Sequence, residues 1–403
     1  MTKYNFKQLS QIAGQTPYYY YDKSHISKTV SKLKQYFPKL SIYYAIKANP
    51  MPEMISFLAN QVDGFDVSSI KELQVAINAI SNQNNICFAG PGKSHKELLS
   101  AVTAGVVINV ESANELEHLI LIKNNYQLSP RVSLRINPDF SLKRSGVMMT
   151  GYASGFGIDE EQIPQMIQKL LSNGIKLNGF HIYSGSQNLN SDSLIKSHEQ
   201  IFKLIDKLIC AHNLSIKQLN IGGGFGIPYF KGEQSLQLQP IADNLEHLIQ
   251  DMKSKHGNIE YILELGRYLV GEAGYYVSKV IDIKRSKNKK IIIVDGGLHH
   301  HLANSGNFGQ VIRKNYPILI QTEHGHHEIS HATHQESPES ETEKQCVDIY
   351  GPLCTPLDIL AKDVEIENVS INDLIIIKQS GAYGKSASPE NFLSHPSSVE
   401  LLL

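Results

Sequence analysis

The sequence predicts an α/β fold in which a (β/α)8 barrel is followed by a separate, mostly antiparallel β-domain. Short apolar runs rich in β-forming residues alternate with helical patterns, and eight such units fill residues 26–271. This alternation indicates βαβ units and a parallel sheet, and eight units over roughly 250 residues are typical of a TIM-type barrel. After residue 271 the strands follow one another without long helices between them, which predicts a β-domain over residues 272–403.

Each predicted barrel strand is a short β-rich run followed by a helical pattern. In chain order the runs are Ile42–Ala45, Gly64–Val67, Ile86–Ala89, Val106–Val110, Arg131–Ile136, Leu177–Ile182, Gln218–Ile221 and Tyr261–Leu265. Three of the following helices are expected to begin with a capping box, in which a serine oxygen and a glutamate three residues later each accept a backbone N–H. These boxes are Ser69–Glu72, Ser94–Glu97 and Ser112–Glu115.

The predicted β-domain contains strands at Tyr275–Lys284, Lys290–Val294, Cys346–Tyr350, Leu374–Gln379 and Val399–Leu402. Residues 1–25, which include the run Tyr18–Tyr21, are expected to join this domain. Residues 322–344 are rich in His, Glu, Ser and Thr and almost free of apolar side chains, which predicts a mobile loop. Its five histidines could bind a metal, but a solvated insertion is the favoured interpretation, and no metal site is predicted.

Composition restricts the classes of function. The 403 residues are 41% hydrophobic, and 38 Lys+Arg against 39 Asp+Glu give a net charge of -1. Such a balance offers no attractive field for nucleic acid or an anionic membrane. No run approaches the 18 apolar residues of a transmembrane helix, and residues 1–14 lack the apolar core of a signal peptide. The four cysteines are scattered, so we expect no disulfide framework and a cytoplasmic location.

Chemically distinctive residues stand at the carboxyl ends of the predicted strands, where a barrel places its active site. Lys47 follows the first strand and is either a surface lysine or a buried amine of lowered pKa suited to Schiff-base chemistry. His181 lies at the end of strand six, Gly222–Gly224 follow strand seven and Glu264 ends strand eight. The glycines suit a phosphate cradle, but Ile227 occupies the last glycine position of a dinucleotide fingerprint. Together these residues suggest pyridoxal phosphate.

The chain resembles the fold-type III pyridoxal-phosphate enzymes, which share an alanine racemase-like fold and include the diaminopimelate and ornithine decarboxylases. Short motifs in family order carry this resemblance: Tyr44–Asn49, Gly64–Ser68, His181–Gln187, Gly222–Gly224, Glu264–Arg267, Gly351–Cys354 with Asp358, and Gly381–Tyr383. Two further segments, Cys354–Asp358 and Ser380–Pro396, are most similar to the exosortase-associated pyridoxal-dependent decarboxylases.

The resemblance implies roles for individual residues around the cofactor. Lys47 would bind pyridoxal phosphate as an aldimine, and His181 would stack on its ring. Glu264 would pair with the pyridine nitrogen, a partner that favours decarboxylation over racemisation. The phosphate would be held by Ser186, Gly222, Gly223, Gly224, Gly266 and Tyr383, and the cofactor site would be completed by Asp66, Arg135 and Arg267.

The resemblance also implies a homodimer with shared active sites. Cys354 of one subunit would reach into the site of the other and return a proton to the substrate after CO2 has left. Asp358, Asp295 and Arg267 would bind the substrate. Two alternatives of other classes stay open, namely an amino-acid racemase and a non-catalytic regulator that binds the cofactor.

Two departures from the diaminopimelate decarboxylases bear on the substrate. Thr355 stands where those enzymes carry a glutamate, and Asp295 is followed by Leu298–Phe308 instead of an Arg-Pro-x-x-Tyr segment. The grip on a distal carboxylate is therefore missing. We expect an amino acid or an amino-acid derivative, free or attached to an acyl carrier protein. Free ornithine or lysine, and diaminopimelate, remain alternatives. The run His299–His301 would line the entrance for a tethered substrate or form an interface loop.

Overall fold

The computed structural model describes residues 5–80, 82–141, 147–148, 150–230, 232–308, 313–322, 325–328, 330–331, 345–366 and 368–403. The chain divides into two compact units, each described by itself below. The barrel unit consists of Ser27–Ile227 and Gln234–Leu269. The β unit consists of Met1–Ile26, Pro228–Glu233 and Val270–Leu403. The segment Pro228–Glu233, which the sequence-based division left in the barrel, therefore belongs to the β unit.

The barrel unit is a closed ring of eight parallel strands, as predicted. Each strand pairs with its neighbours in the chain, and the first pairs with the eighth. Barrel strands one to eight are Leu40–Ala45, Gly64–Val67, Ile86–Phe88, Val107–Val110, Arg131–Asn137, Leu177–His181, Gln218–Gly223 and Glu260–Leu265. A two-residue strand, Ile158–Asp159, adds to the end of strand five, and Gly185–Ser186 pairs with Val147–Met148 outside the ring.

One helix precedes the first barrel strand, the others follow barrel strands, and all of them bury apolar side chains. The longer ones are Lys23–Tyr36, Pro52–Leu58, Ile70–Ala79, His95–Ala104, Ala113–Tyr126, Ile163–Ser172, Ser191–His212 and Gln239–His256. Short helical turns occupy Ile46–Ala48, Gln83–Asn85, Glu160–Gln162, Arg267–Val270 and Gly271–Ala273. Among the described residues, no helix is both long and apolar enough to cross a membrane.

The three predicted serine caps are present, but only one forms a complete capping box. Ser69, Ser94 and Ser112 each accept the backbone N–H of the glutamate three residues later. Only at Ser94 is the box complete, because the Glu97 side chain also accepts the backbone N–H of Ser94. The other two glutamates instead accept the N–H of the residue before the cap, at Ser68 and Glu111. These contacts tie the end of a strand, as well as the cap, to the helix start.

The β unit is built around one long strand, Gly274–Ser286. Its first half pairs with Tyr18–Tyr21 on one side and Leu374–Ile377 on the other, and its second half pairs with Lys289–Val294. The remaining strands are Ile318–Thr322, Gly325–Glu328, Ser330–His331, Gln345–Tyr350, Ile359–Ile366 and Val399–Leu402. The unit also contains the eight-residue helix Phe6–Ala13 and short helical turns at Lys385–Ala387 and Phe392–Ser394. The tyrosine run also pairs in parallel with Val399–Leu402, so both ends of the described chain contribute to this sheet.

Part of the predicted mobile loop, 322–344, is β-structure. Gly325–Glu328 pairs with Ile318–Thr322, and Ser330–His331 pairs with Ile359–Ile366. A loop prediction from composition failed here because strand pairing depends on backbone hydrogen bonds, which polar residues also form. The partner strands were missed as well. The other residues of the predicted loop, 323–324, 329 and 332–344, lie outside the described residues.

Three consecutive histidines are buried in the β unit, which contradicts the expectation of an entrance or an interface loop. His299, His300 and His301 are each at most 1% exposed. The backbone N–H of Asn304 donates to His301 Nδ1 at 3.3 Å, and His301 Nε2 lies 2.9 Å from Ser380 Oγ. Burial lowers the pKa of His301 to about 3, so the ring is neutral and acts as one donor and one acceptor.

We expect this burial to make the β unit less stable in acid. The folded-state pKa of His301 lies below its unfolded value of 6.5, so unfolding takes up a proton as the pH falls through 6.5. The free energy of unfolding contributed by this residue is intact above 6.5 and declines by up to ~1.4 kcal/mol per pH unit below it. Urea unfolding of His301→Gln, followed by circular dichroism between about pH 7.5 and about pH 5.5, should show a flatter pH dependence than the wild type.

The exposed His247 provides the control for this measurement. His247→Gln should keep the wild-type slope of unfolding free energy against pH. If His301→Gln kept that slope too, the acid sensitivity would have to come from other groups.

Candidate active site

Four side chains meet at the carboxyl ends of the barrel strands. Lys47 lies on the short turn Ile46–Ala48 after strand one, Asp66 lies in strand two, His181 ends strand six and Glu264 lies in strand eight. Lys47 Nζ is 3.4 Å from Asp66 Oδ2 and 3.5 Å from Glu264 Oε1. His181 Nε2 is 3.2 Å from Glu264 Oε2. An amine, an imidazole and two carboxylates therefore share one small volume.

Lys47 differs from its companions in exposure. Its side chain is 39% exposed, whereas the side chains of Asp66 and Glu264 are at most 1% exposed. The possibility of a buried lysine is therefore wrong, because the residue sits on a turn beyond the strand and not within it. Its amine is held between two buried carboxylates and remains accessible from outside, as an amine that must exchange covalent partners requires.

The two carboxylates of this site have opposite charge preferences. Burial and the negative charge of Glu264 raise the pKa of Asp66 well above its usual range. Burial would raise the pKa of Glu264 too, but Lys47, His181 and Arg135 lower it below its usual range. Asn220 Nδ2 also donates to Glu264 Oε2 at 3.3 Å. Glu264 is thus the ionised carboxylate of the pair. Burial lowers the pKa of His181, which keeps its ring neutral despite the adjacent carboxylate.

The glycine turn after strand seven packs its backbone closely against the turn after strand six. Gly222 and Gly224 have φ of 70° and 80°, in the left-handed region that favours glycine. A Cβ at Gly222 would lie 2.6 Å from the carbonyl oxygen of Ile182. The N–H of Asn188, just past Ser186, donates to the Gly224 carbonyl oxygen at 2.9 Å. This hydrogen bond joins the turns after strands six and seven, and Ser186, two residues before Asn188, is half-buried.

Arg135, at the end of strand five, belongs to a buried ion network that the sequence did not reveal. Its Nη1 is 2.9 Å from Glu111 Oε1, and Glu111 also accepts the backbone N–H groups of Gly90 and Gly157. Burial opposes the charge of Glu111, but Arg135 and Lys93 lower its pKa below the usual range. Glu111 directly follows strand four, and this position was the signal that could have identified it.

The remaining predicted residues of the barrel unit lie near the first and eighth strands. Gly266 follows strand eight, and a Cβ there would lie 2.9 Å from the Ala48 Cβ, next to Lys47. Arg267 begins the short helix Arg267–Val270 and is half-buried. The strand ends therefore bring together Lys47, Asp66, His181, Glu264 and Gly266.

The other predicted residues, Cys354, Asp358, Asp295 and Tyr383, belong to the β unit. Cys354 is exposed and Tyr383 is half-buried with a φ of 55°. Asp358 accepts the backbone N–H groups of Leu298 and Leu353, and Asp295 accepts the Thr16 hydroxyl and the Lys279 N–H. These contacts favour structural roles for both aspartates over the predicted substrate binding, because their carboxylate oxygens already accept hydrogen bonds from other parts of the protein.

One group of three metal-ligating side chains occurs in the described part of the chain, away from the residues above. Asp206 and Cys210 lie on the helix Ser191–His212, and His256 ends the helix Gln239–His256. His256 Nε2 is 2.6 Å from Asp206 Oδ1, and Lys255 Nζ is 3.2 Å from Asp206 Oδ2. The Lys255 ammonium already neutralises this carboxylate.

Comparison with known proteins shows which family the chain resembles. A family model described as the pyridoxal-binding domain of pyridoxal-dependent decarboxylases matches residues 23–271. The chain is 35% identical to L-glutamyl-[BtrI acyl-carrier protein] decarboxylase of Niallia circulans, over 96% of this chain and 89% of that protein. It is 30% identical to 2-[(L-alanin-3-ylcarbamoyl)methyl]-2-hydroxybutanedioate decarboxylase of Staphylococcus aureus, over 97% and 94% of the two chains.

A solved structure extends the likeness to the whole fold. Diaminopimelate decarboxylase from Helicobacter pylori, complexed with L-lysine, superposes with a TM-score of 0.85 at 28% identity, over 99% of this chain and 94% of that one. The predicted fold-type III architecture is thereby confirmed.

The residues present fit pyridoxal phosphate. The cofactor needs an amine for its aldehyde, an anion for its pyridine N–H and a backbone cradle for its phosphate. The Lys47 side chain is 39% exposed, Glu264 is ionised although buried, and the glycine turn is hydrogen-bonded to the turn that carries Ser186. His181 Nδ1 is buried without a hydrogen-bond partner among the described residues, so it is a polar atom that a bound group could satisfy.

Replacing the charge of Glu264 tests this fit. We expect Glu264→Gln to retain the cofactor but to lower kcat at least tenfold, ~1.4 kcal/mol or more, because a neutral amide does not hold the ring nitrogen protonated. Steady-state kinetics together with the visible absorbance of the lysine-bound cofactor would measure both quantities.

The matched control is Glu260→Gln, at the opposite end of the same strand, where the exposed carboxylate accepts the Ser41 hydroxyl at 2.8 Å. It should leave kcat unchanged. Equal kcat values for Glu264→Gln and the wild type would contradict the assigned role of Glu264.

Proposed function

The chain belongs to the pyridoxal-dependent decarboxylase family, and we propose that it removes CO2 from an amino acid whose side-chain end is joined to a larger acyl group. Decarboxylation in this family requires a free α-amine to bind the cofactor and a free α-carboxylate to leave. Attachment to a carrier must therefore run through the side chain. The names of two relatives describe such substrates, one on an acyl carrier protein and one in an amide.

The turn around Cys354 supports an uncharged end of the amino-acid side chain, as in a thioester or an amide. Thr355 replaces the glutamate of the diaminopimelate decarboxylases, and its hydroxyl accepts the Leu357 N–H at 3.4 Å. Leu357 itself is 58% exposed. A hydroxyl and a leucine offer no ion pair to a distal ammonium or carboxylate. Free diaminopimelate, ornithine and lysine, which each carry a distal charge, are therefore weaker candidates.

The barrel residues divide the chemical work. Pyridoxal phosphate, when bound, supplies the electron sink that accepts the electron pair left by departing CO2. Lys47 Nζ would bind the cofactor, and the ionised Glu264 would keep a proton on the ring nitrogen. The neutral His181 would pack against the ring and exclude water. The backbone N–H groups of Gly222–Gly224 would hold the phosphate. Arg135 would lie at the rim, where the ion pair with Glu111 holds its guanidinium group in place.

Cys354 would complete the site as the proton donor, in a homodimer with shared active sites. The thiol is exposed in the β unit, and two neighbouring apolar side chains are also exposed, Leu357 at 58% and Phe308 at 47%. Asn307 Nδ2 donates to the Leu357 carbonyl oxygen at 3.4 Å, which keeps these two loops adjacent. An exposed apolar surface around a thiol suits burial against a second copy of the chain.

The substrate proposal predicts a preference for acylated side chains. We expect CO2 release from a carrier-bound glutamyl thioester or an N-acylated 2,3-diaminopropionate with kcat/KM at least tenfold above that for free ornithine, lysine or meso-diaminopimelate, ~1.4 kcal/mol in transition-state binding. A radiometric CO2 assay on the cofactor-loaded enzyme measures this ratio. Equal or better turnover of a free diamino acid would overturn the proposal.

The shared-site proposal predicts complementation between two inactive variants. Lys47→Ala and Cys354→Ala should each lose most activity when assayed alone. When they are co-expressed, about half of the dimers are mixed, and one site of each mixed dimer combines an intact Lys47 with an intact Cys354. We expect about a quarter of the wild-type activity to return.

Cys346→Ala is the matched control, because Cys346 is also exposed in the β unit. It should be fully active alone. A Cys354→Ala enzyme with wild-type activity would remove Cys354 from the reaction. If both single variants are inactive, a lack of recovery in the mixed dimers would overturn the shared site.

A further inference from the structure

We propose that Asp358 is a positioning residue, which holds the turn carrying Cys354 in place for proton return. This inference rests on the proposed role of Cys354. Asp358 is 1% exposed, and its two carboxylate oxygens accept backbone N–H groups from two different loops. A side chain so engaged acts on the protein and not on the substrate.

The first loop is the turn that presents Cys354. The Leu353 N–H donates to Asp358 Oδ2 at 2.8 Å, and the Gly351 N–H donates to the Asp358 main-chain carbonyl oxygen at 3.0 Å. Within the turn, the Thr355 N–H donates to the Leu353 carbonyl oxygen at 2.8 Å. Asp358 thus closes the turn through both its main chain and its side chain, and Cys354 lies between two residues whose backbones are fixed.

The second loop, which contains Gly297 and Leu298, is the part of the β unit to which Asp358 connects the Cys354 turn. The Leu298 N–H donates to Asp358 Oδ1 at 2.6 Å. Leu298 adjoins the buried histidine run, and the His300 N–H donates to the Gly297 carbonyl oxygen at 3.0 Å. A β-carbon on either Gly297 or Gly351 would overlap the Asp358 carboxylate. The carboxylate therefore fills a slot between two glycines, one on each loop.

Because the Asp358 carboxylate is enclosed between these two glycines, its contribution is to fix the position of the Cys354 turn and not to supply charge to the reaction. An exposed thiol on an unfastened turn would sample many positions relative to the carbon that receives the proton. Misplacement by about 1 Å costs as much as two orders of magnitude in rate. Two charge-assisted hydrogen bonds to the backbone restrict this freedom without any contact to the reacting atoms.

A double-mutant cycle separates positioning from a general structural effect. In the otherwise wild-type holoenzyme, Asp358→Asn should lower kcat at least tenfold while KM and the cofactor absorbance stay unchanged, because an amide NH2 cannot accept the second N–H. In the Cys354→Ala background the same change should cause no further loss of kcat, because no thiol remains to be positioned.

Gly297→Ala tests the same inference in another way, because the added methyl group displaces the Asp358 carboxylate without changing its chemistry. It should lower kcat as Asp358→Asn does, and it should cause no further loss of kcat in the Cys354→Ala background. The control is Asp373→Asn, another buried carboxylate of the β unit, whose Oδ2 accepts the Ser370 N–H at 2.8 Å and which lies outside the Cys354 turn. It should leave kcat unchanged whatever its effect on the melting temperature.

The outcomes distinguish this inference from the proposal on which it rests. If Cys354→Ala has wild-type kcat, the proposed function of the thiol fails. If Cys354→Ala is slow but Asp358→Asn lowers kcat equally in both backgrounds, the thiol keeps its role and the positioning inference is overturned. Wild-type kcat for both Asp358→Asn and Gly297→Ala would also overturn it.

Discussion

The ionised state of Glu264 is the constraint on which the candidate site depends. Removing a carboxylate from water costs several kcal/mol unless nearby cations and donors compensate for the lost solvation. Four side chains supply that compensation: Lys47 from the turn after strand one, and His181, Asn220 and Arg135 from strands six, seven and five. A closed barrel is what brings these residues around one carboxylate, because it directs the carboxyl ends of all its strands to the same rim.

The contrast between Glu264 and Asp66 illustrates how environment, and not residue type, decides charge. Both carboxylates are buried and both lie within 3.5 Å of Lys47 Nζ. Only Glu264 also has an imidazole and an amide as neighbours. Glu264 is therefore the carboxyl group that ionises, and its negative charge helps to raise the pKa of Asp66. A single buried anion facing one side of the site matches a cofactor with a single ring N–H.

The sequence predicted the barrel and its rim well because both follow from local patterns. Strand ends could be placed within about two residues, and a residue just past a strand end must lie at the rim. Interactions between distant positions were missed. Lys93, Glu111 and Glu115 resemble ordinary surface charges in the sequence, yet Lys93 Nζ lies 2.7 Å from Glu115 Oε1 in a buried network. Likewise, the strand Ile359–Ile366 is interrupted by Lys362 and Asp363, so its alternation is irregular, and its pairing contains register shifts.

Recognition of the far end of the substrate differs in kind from the chemistry at the barrel rim. The segment that follows Asp295 carries no Arg-Pro-x-x-Tyr motif, and its histidines are buried. Its backbone now receives Asp358, which joins it to the turn of Cys354 and Thr355. In this chain that loop is therefore held to the turn that carries Cys354, the proposed proton donor. A substrate whose amino-acid side chain ends in a thioester or an amide needs no ion pair at that position. Its reaction still requires a correctly placed proton donor, which is the property that the buried carboxylate would preserve.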